Sequence, residues 1–230
     1  MTGLAIHGNG SRIKREGECV MANPDITKSF IQHYSGKIRE HGPNALGVDW
    51  GFQDKADIRH DQMLQLLRTA ATGGIPDLLD VGCGYGALLD RAKQRGISLN
   101  YSGIDVVAEM TAHGKQLHPE ADFVTGDFLE TKIGRKYDYL ICNGILTLKL
   151  ATSIMDMDAY AKSLIRKMYE HCNIGICFNV MSNAVNFQDQ KLFYKSPVEM
   201  LAFCLSELSK KVRIDHSYPL YEFTTYVYRD

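Results

Sequence analysis

The sequence predicts an α/β protein with a doubly wound, seven-stranded, mostly parallel sheet, an antiparallel C-terminal hairpin strand and an N-terminal helical cap. Short apolar runs alternate with helix-period segments from residue 77 onward, which is typical of a parallel sheet covered by helices on both faces. A glycine-rich turn follows the first apolar run. Two neighbouring strand-like runs, 212–216 and 222–228, end the chain as a hairpin would.

The N-terminal part differs from this regular core. Residues 1–24 are glycine-rich, basic and without periodicity, so we expect a disordered leader, and Met21 is an alternative natural start. Residues 25–74 form the predicted helical cap, with helices at 26–40 and 58–70. Residues 75–230 form the core and make one structural domain with the cap.

The core elements follow in alternation. We expect strands at 77–81, 101–104, 122–125, 137–142 and 174–180, and helices at 87–95, 108–116, 157–171 and 197–208.

Composition limits the partners and the compartment. With 26 basic and 27 acidic residues the net charge is -1, which gives no electrostatic attraction to nucleic acid. No stretch approaches the ~18 apolar residues of a membrane helix, and no signal peptide is visible. The six cysteines form no CxxC pair or zinc-type spacing, so we expect reduced thiols, a cytoplasmic location and no metal. His113 and His118 are expected to be solvated surface residues.

The stretch DLLDVGCGYG, residues 77–86, is the strongest functional signal. Three glycines at every second position follow an apolar strand, where a parallel sheet binds its ligand and backbone must approach it closely. A dinucleotide fingerprint is GxGxxG, but here the third glycine comes one residue earlier and Asp80 precedes the first. A nicotinamide dehydrogenase is therefore the more remote interpretation.

This stretch resembles motif I of the class I S-adenosylmethionine-dependent methyltransferases, an acid followed by xGxGxG. The resemblance implies a Rossmann-like fold and S-adenosyl-L-methionine as cofactor, with Asp80, Gly82, Cys83 and Gly84 at the cofactor.

Downstream segments extend the resemblance. Asp105 ends the second strand, where a carboxylate can accept both ribose hydroxyls, although dinucleotide enzymes use the same device. Val106 and Met110 would cover an adenine face. In GDFLE, the resemblance implies that Asp127 binds the adenine amino group and that the Phe128 amide meets a ring nitrogen.

The fourth strand ends in YLICNGIL, where Cys142, Asn143 and Gly144 are expected to line the floor beside the methionine part. This segment lacks the NPPY-type motif of many nucleic-acid and protein amide methyltransferases, which argues against those substrates.

The cap resembles that of small-molecule N- and O-methyltransferases, glycine N-methyltransferase among them. By that resemblance Arg59 would clamp the cofactor's carboxylate, and Trp50 would close the pocket. The structural alternatives are a surface salt bridge for Arg59 and an ordinary core aromatic for Trp50. His60 and Gln62 lie nearby as weaker candidates.

Loops after parallel strands open on one face, so their polar and aromatic residues are the candidates for the acceptor side. Asn143 and His216 are the catalytic candidates, and His216 is either a base or a packed or exposed histidine. The predicted substrate contacts are Tyr34, Leu146, Asn183, Tyr218 and Tyr221, with His33, Ser182, Asn186 and Phe187 on the same loops and cap.

The sequence thus predicts methyl transfer to an O or N atom of a small molecule by in-line displacement, without nucleic acid or membrane, by a monomer or homodimer. The alternatives are an RNA or protein methyltransferase, and an inactive binding or scaffold protein with the same fold.

Overall fold

The structure, a computed structural model, describes residues 24–67 and 74–229. The predicted leader and the end of the second predicted helix, residues 68–70, lie outside the described residues. The helices of these ranges are α1 (Pro24–His41), α2 (Gln53–Leu64), α3 (Ala87–Gln94), α4 (Ala108–Leu117), α5 (Ile154–Glu170) and α6 (Pro197–Glu207). The strands are β1 (Asp77–Val81), β2 (Asn100–Asp105), β3 (Asp122–Thr125), β4 (Tyr137–Cys142), β5 (Cys172–Ser182), β6 (Tyr194–Lys195), β7 (Lys211–Asp215) and β8 (Glu222–Tyr228).

The sheet has the order β3-β2-β1-β4-β5-β8-β7, and β6 pairs with the end of β5. Strand β8 runs antiparallel to both β5 and β7, while the pairs among β1 to β5 are parallel. The predicted fold class is confirmed. The sheet described here has eight strands rather than seven because the two-residue β6 is too short to show a strand pattern in the sequence.

The second helix differs from its predicted position. It begins at Gln53, five residues before the predicted start, and ends at Leu64. The amides of Gln65, Leu66 and Leu67 then bond to carbonyls three residues back, which tightens the chain into a turn and buries Leu66 completely.

Side chains pack on both faces of the sheet. Leu140 and Phe178 belong to one buried cluster, and their neighbours Tyr139, Ile141 and Cys177 belong to the cluster on the opposite face. Because the central strands are buried on both sides, they appear in the sequence as continuous apolar runs. The five described cysteines are buried and unpaired, as expected of thiols used as small apolar side chains.

His118 corrects one expectation. It is 2% exposed rather than solvated, and its ring stacks on Phe123 with centroids 6.2 Å apart. It also packs under the glycine-rich turn, since a Cβ on Gly86 would lie 2.9 Å from His118 Cδ2. The histidine therefore supports the turn from below.

The cap covers one edge of the core. Ser35 and Arg39 of α1 both bond to Glu109 of α4. The loop after α1 folds back on that helix, because Asp49 accepts hydrogen bonds or ion pairs from His33 at 2.9 Å and Lys37 at 2.8 Å. Among the described helices, none combines the length and the apolar character needed to cross a membrane.

Candidate active site

The main pocket lies where β1 meets β2 on one side and β4 on the other, which is the topological switch point of the sheet. Its floor is made by the turns after β1, β2, β3 and β4. Helix α1 and the loop after it cover the opposite side with Thr27, Phe30, Tyr34, Val48 and Trp50.

The glycine-rich turn has the backbone that its sequence predicts. Gly82, Gly84 and Gly86 have φ of 73°, 55° and 89°, a region that favours glycine. The amides of Gly82 and Cys83 both bond to the carbonyl of Ile104, which fastens the turn to β2. The turn thus presents backbone rather than side chains to the pocket.

Asp105 at the end of β2 is held by two backbone amides. Its Oδ2 accepts from the Gly84 amide at 2.9 Å, and its Oδ1 accepts from the Val107 amide at 2.8 Å. Burial raises the pKa of its carboxyl above the ordinary value despite these bonds. The carboxylate is fixed before any ligand arrives.

Asp127 follows β3 and is tied to the cap. Its Oδ1 accepts from the Leu129 amide at 2.8 Å, and its Oδ2 accepts from the Thr27 hydroxyl at 2.6 Å. Phe128 is buried beside it, and Val106 and Met110 add apolar side chains to the wall of the same pocket.

Asp80 is a third carboxyl in the wall. It is 3% exposed and accepts a hydrogen bond from the Tyr101 hydroxyl at 2.7 Å. Burial raises its pKa to about 7, and the nearby Asp105 acts in the same direction.

The pocket wall therefore carries acidic groups without basic lysine or arginine side chains among its described residues. Asp80, Asp105 and Asp127 line the pocket, and the described wall contains no lysine or arginine. Such a wall favours a ligand with positive charge and hydroxyl or amino donors. It does not suit the pyrophosphate of a dinucleotide, which needs cationic or amide donors.

Asn143 presents unpaired polar groups to the pocket. The residue is 8% exposed, it lines the pocket, and neither its Oδ1 nor its Nδ2 has a hydrogen-bond partner among the described residues. Buried amide groups normally pair, and leaving one unpaired costs about 1–3 kcal/mol. A ligand with both a donor and an acceptor at this place would satisfy it, as the polar groups of an amino acid or an acceptor molecule can.

Trp50 and Gly144 form the wall next to Asn143. Gly144 has φ of 97°, and a Cβ there would lie 3.0 Å from Trp50 Cζ2, so the indole packs directly on backbone. The guanidinium of Arg59 lies over the indole, 5.3 Å from its centroid.

Arg59 has a protein partner that the sequence did not indicate. Its Nε donates to both carboxylate oxygens of Glu222, at 3.2 and 3.0 Å, and its Nη1 is buried without a described partner. The structural alternative for Arg59 was a surface salt bridge. The pair with Glu222 is such an ion pair, but it is partly buried, with side-chain exposures of 15% for Arg59 and 1% for Glu222. The predicted clamp on the cofactor stays a prediction, because a free Nη1 remains beside the pocket.

His60 deserves more weight than the sequence gave it. It lines the pocket, is 4% exposed and lies 5.2 Å from the Trp50 ring, centroid to centroid. Burial lowers its pKa to about 4, so the imidazole is neutral near pH 7. In the sequence, the position of His60 one residue after Arg59 was the only feature that indicated a place in the site.

The structure gathers the predicted cofactor residues but not the predicted acceptor residues. All predicted cofactor residues except Arg59 line the pocket, as does Tyr34. Leu146, Asn183, His216, Tyr218 and Tyr221 are absent from its described wall.

These five residues have other surroundings. Leu146 is completely buried in the core, and Tyr218 bonds to Thr224 at 2.9 Å. His216 is exposed and contacts the edge of Phe223, Asn183 is exposed, and Tyr221 is 70% exposed. Because a base must come within hydrogen-bond reach of the proton it takes, His216 has no role in the site built here, and its assignment stays a prediction of the sequence.

Comparisons with known proteins agree with this site. A family described as a methyltransferase domain matches residues 78–174. A putative methyltransferase of Mycobacterium tuberculosis is 33% identical over 154 residues, covering 64% of this chain and 90% of that protein.

Solved structures share the fold at low identity. Magnesium protoporphyrin IX methyltransferase from Synechocystis with bound S-adenosylhomocysteine matches with a TM-score of 0.62 and 14% identity, over 90% of this chain and 99% of that chain. Human N-acetylserotonin methyltransferase in complex with S-adenosylmethionine matches with a TM-score of 0.56 and 13% identity, over 90% of this chain and 68% of that chain.

The chain belongs to the class I S-adenosylmethionine-dependent methyltransferases. The predicted family is confirmed, and S-adenosylmethionine is the cofactor of that family.

Proposed function

We propose that this protein transfers the methyl group of S-adenosylmethionine to an O or N atom of a small-molecule acceptor. The observation that carries the proposal is the charge of the pocket wall. Among the described residues, three carboxyls line the pocket, no lysine or arginine does, and the amide of Asn143 has no hydrogen-bond partner. A sulfonium ligand with ribose hydroxyls and an adenine amino group supplies the positive charge and the donors that this wall lacks.

Each wall residue then has a role in holding the cofactor. Asp105 would accept the ribose hydroxyls, and Asp127 with the Phe128 amide would hold the adenine edge between Val106 and Met110. Asp80, Asn143 and Trp50 would lie at the amino-acid end of the cofactor.

When bound, the cofactor supplies an electrophilic methyl group with a good leaving group. The protein contributes position and exclusion of water, since α1 and Trp50 close the pocket over the reacting end. An acceptor O–H or N–H must lose its proton during or after the transfer. The imidazole of His60 lies in the described wall, but the burial that lowers its pKa to about 4 also makes it a weak base, so we assign it contact with the reacting end and not the role of base.

A small acceptor is favoured over RNA or protein because the pocket lies under the cap and the net charge is only -1. An inactive scaffold is less favoured because the glycine-rich turn, Asp105 and Asp127 all line one pocket. The five free buried cysteines support the cytoplasmic location, and a monomer or homodimer stays our proposal for the assembly.

Calorimetry with S-adenosylhomocysteine, and NADH as control, tests the cofactor. We expect micromolar binding of the first and none of the second. A folded sample that binds neither would remove the proposal.

The acceptor class needs a separate assay. Labelled S-adenosylmethionine is incubated with the protein and with cell extract separated into metabolites, RNA and protein. We expect the label in the low-mass fraction, and label confined to RNA or protein would overturn the assignment.

A further inference from the structure

Four residues, Arg59, Glu222, Asn179 and Gly144, form a hydrogen-bond network beside the pocket. Arg59 of α2 donates to Glu222 at the start of β8, and Asn179 of β5 donates its Nδ2 to Glu222 Oε1 at 3.0 Å. The Oδ1 of Asn179 accepts from the Gly144 amide at 2.8 Å. This hydrogen-bond network thus joins the cap, two strands and the turn after β4.

This hydrogen-bond network places a charged carboxylate and an amide in the protein interior. Glu222 is 1% exposed and Asn179 is completely buried. A buried carboxylate destabilises the fold unless it is paired, and here Arg59 supplies the opposite charge. A core position could use an apolar side chain more cheaply, so the ionic pair calls for a reason other than stability.

Both ends of the hydrogen-bond network contact the same part of the pocket wall. At one end, Asn179 fixes the amide of Gly144, next to the unpaired amide of Asn143. At the other end, Arg59 lies over Trp50, and Trp50 packs on Gly144. Glu222 is the residue that bonds to both Arg59 and Asn179, and it is not itself among the described residues that line the pocket.

We propose that Glu222 is a positioning residue for the amino-acid end of the cofactor, acting through Arg59 and through Asn179. The inference rests on the proposed function, since it assumes that this end of the pocket receives the methionine part. The adenosyl end would be held by Asp105 and Asp127, whose described hydrogen bonds go to residues outside this hydrogen-bond network.

The test compares two ligands on the same variant. S-adenosylhomocysteine contains the amino-acid part, and 5′-methylthioadenosine contains the same adenosyl part without it. Glu222→Gln keeps the size of the side chain and one acceptor but removes the charge that orients Arg59. We expect the Kd for S-adenosylhomocysteine to rise about tenfold or more and the Kd for 5′-methylthioadenosine, titrated to millimolar concentration, to change less than about twofold.

Two further variants make the result decisive. Arg59→Lys keeps the positive charge but loses the planar fork, and it should reproduce the same selective loss if Glu222→Gln does not fold. Glu207→Gln removes an exposed partner of Arg166 far from the pocket and should change neither Kd.

The outcomes separate the two proposals. An equal loss for both ligands would show that Glu222 only supports the fold, and no loss for either would show that it positions nothing; each overturns the inference while the cofactor assignment stands. A wild-type protein that binds neither ligand overturns the proposed function itself.

Discussion

The hydroxyl of Thr27, near the start of α1, donates to Asp127 Oδ2 at 2.6 Å across 100 positions of the sequence. This contact fastens the cap to the carboxylate that is proposed to recognise the adenine amino group. The cap is therefore coupled to the side of the pocket that Asp127 forms.

Thr27→Val tests that coupling. The substitution keeps the shape but removes the donor, so Asp127 loses one of its two orienting bonds and the affinity for S-adenosylhomocysteine should fall about threefold to tenfold. Titration calorimetry measures it. Ser35→Ala is the matched control, because it also removes a hydroxyl of α1 that bonds to a carboxylate of the core. That carboxylate belongs to Glu109, which does not line the described pocket, so binding should not change. Equal losses in the two variants would contradict a local role for Thr27.

Asn143→Leu separates stability from binding. Because both amide atoms of Asn143 are buried and unpaired, an apolar side chain of similar size should stabilise the free protein by about 1 kcal/mol. The same change should weaken S-adenosylhomocysteine binding at least about tenfold. Urea unfolding and calorimetry measure the two effects.

Asn179→Leu is the matched control for Asn143→Leu. Its amide is fully bonded, to Glu222 and to Gly144, so this variant should lose about 2 kcal/mol or more of stability. If Asn143→Leu also loses stability, its amide has a partner in solution.

Gly144→Ala uses Trp50 as a reporter, since it is the only tryptophan of the sequence. The added Cβ would lie 3.0 Å from the indole in a backbone of φ 97°, so the ring must shift away from Gly144 and change its environment. We expect a red shift of the fluorescence and weaker binding of S-adenosylhomocysteine. Gly96→Ala has a similar φ of 68° with open space around the Cβ, and should cost about 1 kcal/mol of stability without either effect.

Asp80→Asn tests the buried acid through the pH dependence of stability. The folded-state pKa of Asp80 is raised to about 7 from an ordinary value of 3.8, so between these values the folded chain keeps a proton that the unfolded chain has released. This group therefore lowers the stability of the wild type as pH rises from about 4 to 7.

The amide variant lacks this titration, and its stability relative to wild type should increase over that range, by up to about tenfold per pH unit in the unfolding equilibrium constant. Urea unfolding of both proteins from pH 4 to 7, without ligand, gives the difference. His60, whose lowered pKa acts in the opposite direction, is present in both and cancels. A constant difference across the range would mean that Asp80 ionises normally.

Much of the fold and of the cofactor side could be predicted because the signals are local. Strands β1, β3, β4 and β8 have their predicted bounds, since each is a short apolar run between turn residues. The glycines of the turn after β1 specify positive φ by themselves, and acids at strand ends meet at one edge of any parallel sheet.

The acceptor side could not be predicted in the same way. His216 and Tyr221 lie in the loop between β7 and β8, which opens at the same edge of the sheet as the pocket. Strands β5 and β8 separate β7 from β4, so this loop lies to the side of the pocket and does not line it. His60 was underweighted because nothing in a helical sequence shows which side chains a cap will enclose.

The sequence by itself determined the alternation of strands and helices, the backbone of the glycine-rich turn and the family, because each depends on residues close together in the chain. Only the tertiary structure decided that Glu222 pairs with Arg59, that Thr27 reaches Asp127 and that Asn143 is left unpaired. These contacts join residues far apart in sequence, and a buried polar group takes whichever partner the packing brings within hydrogen-bond distance.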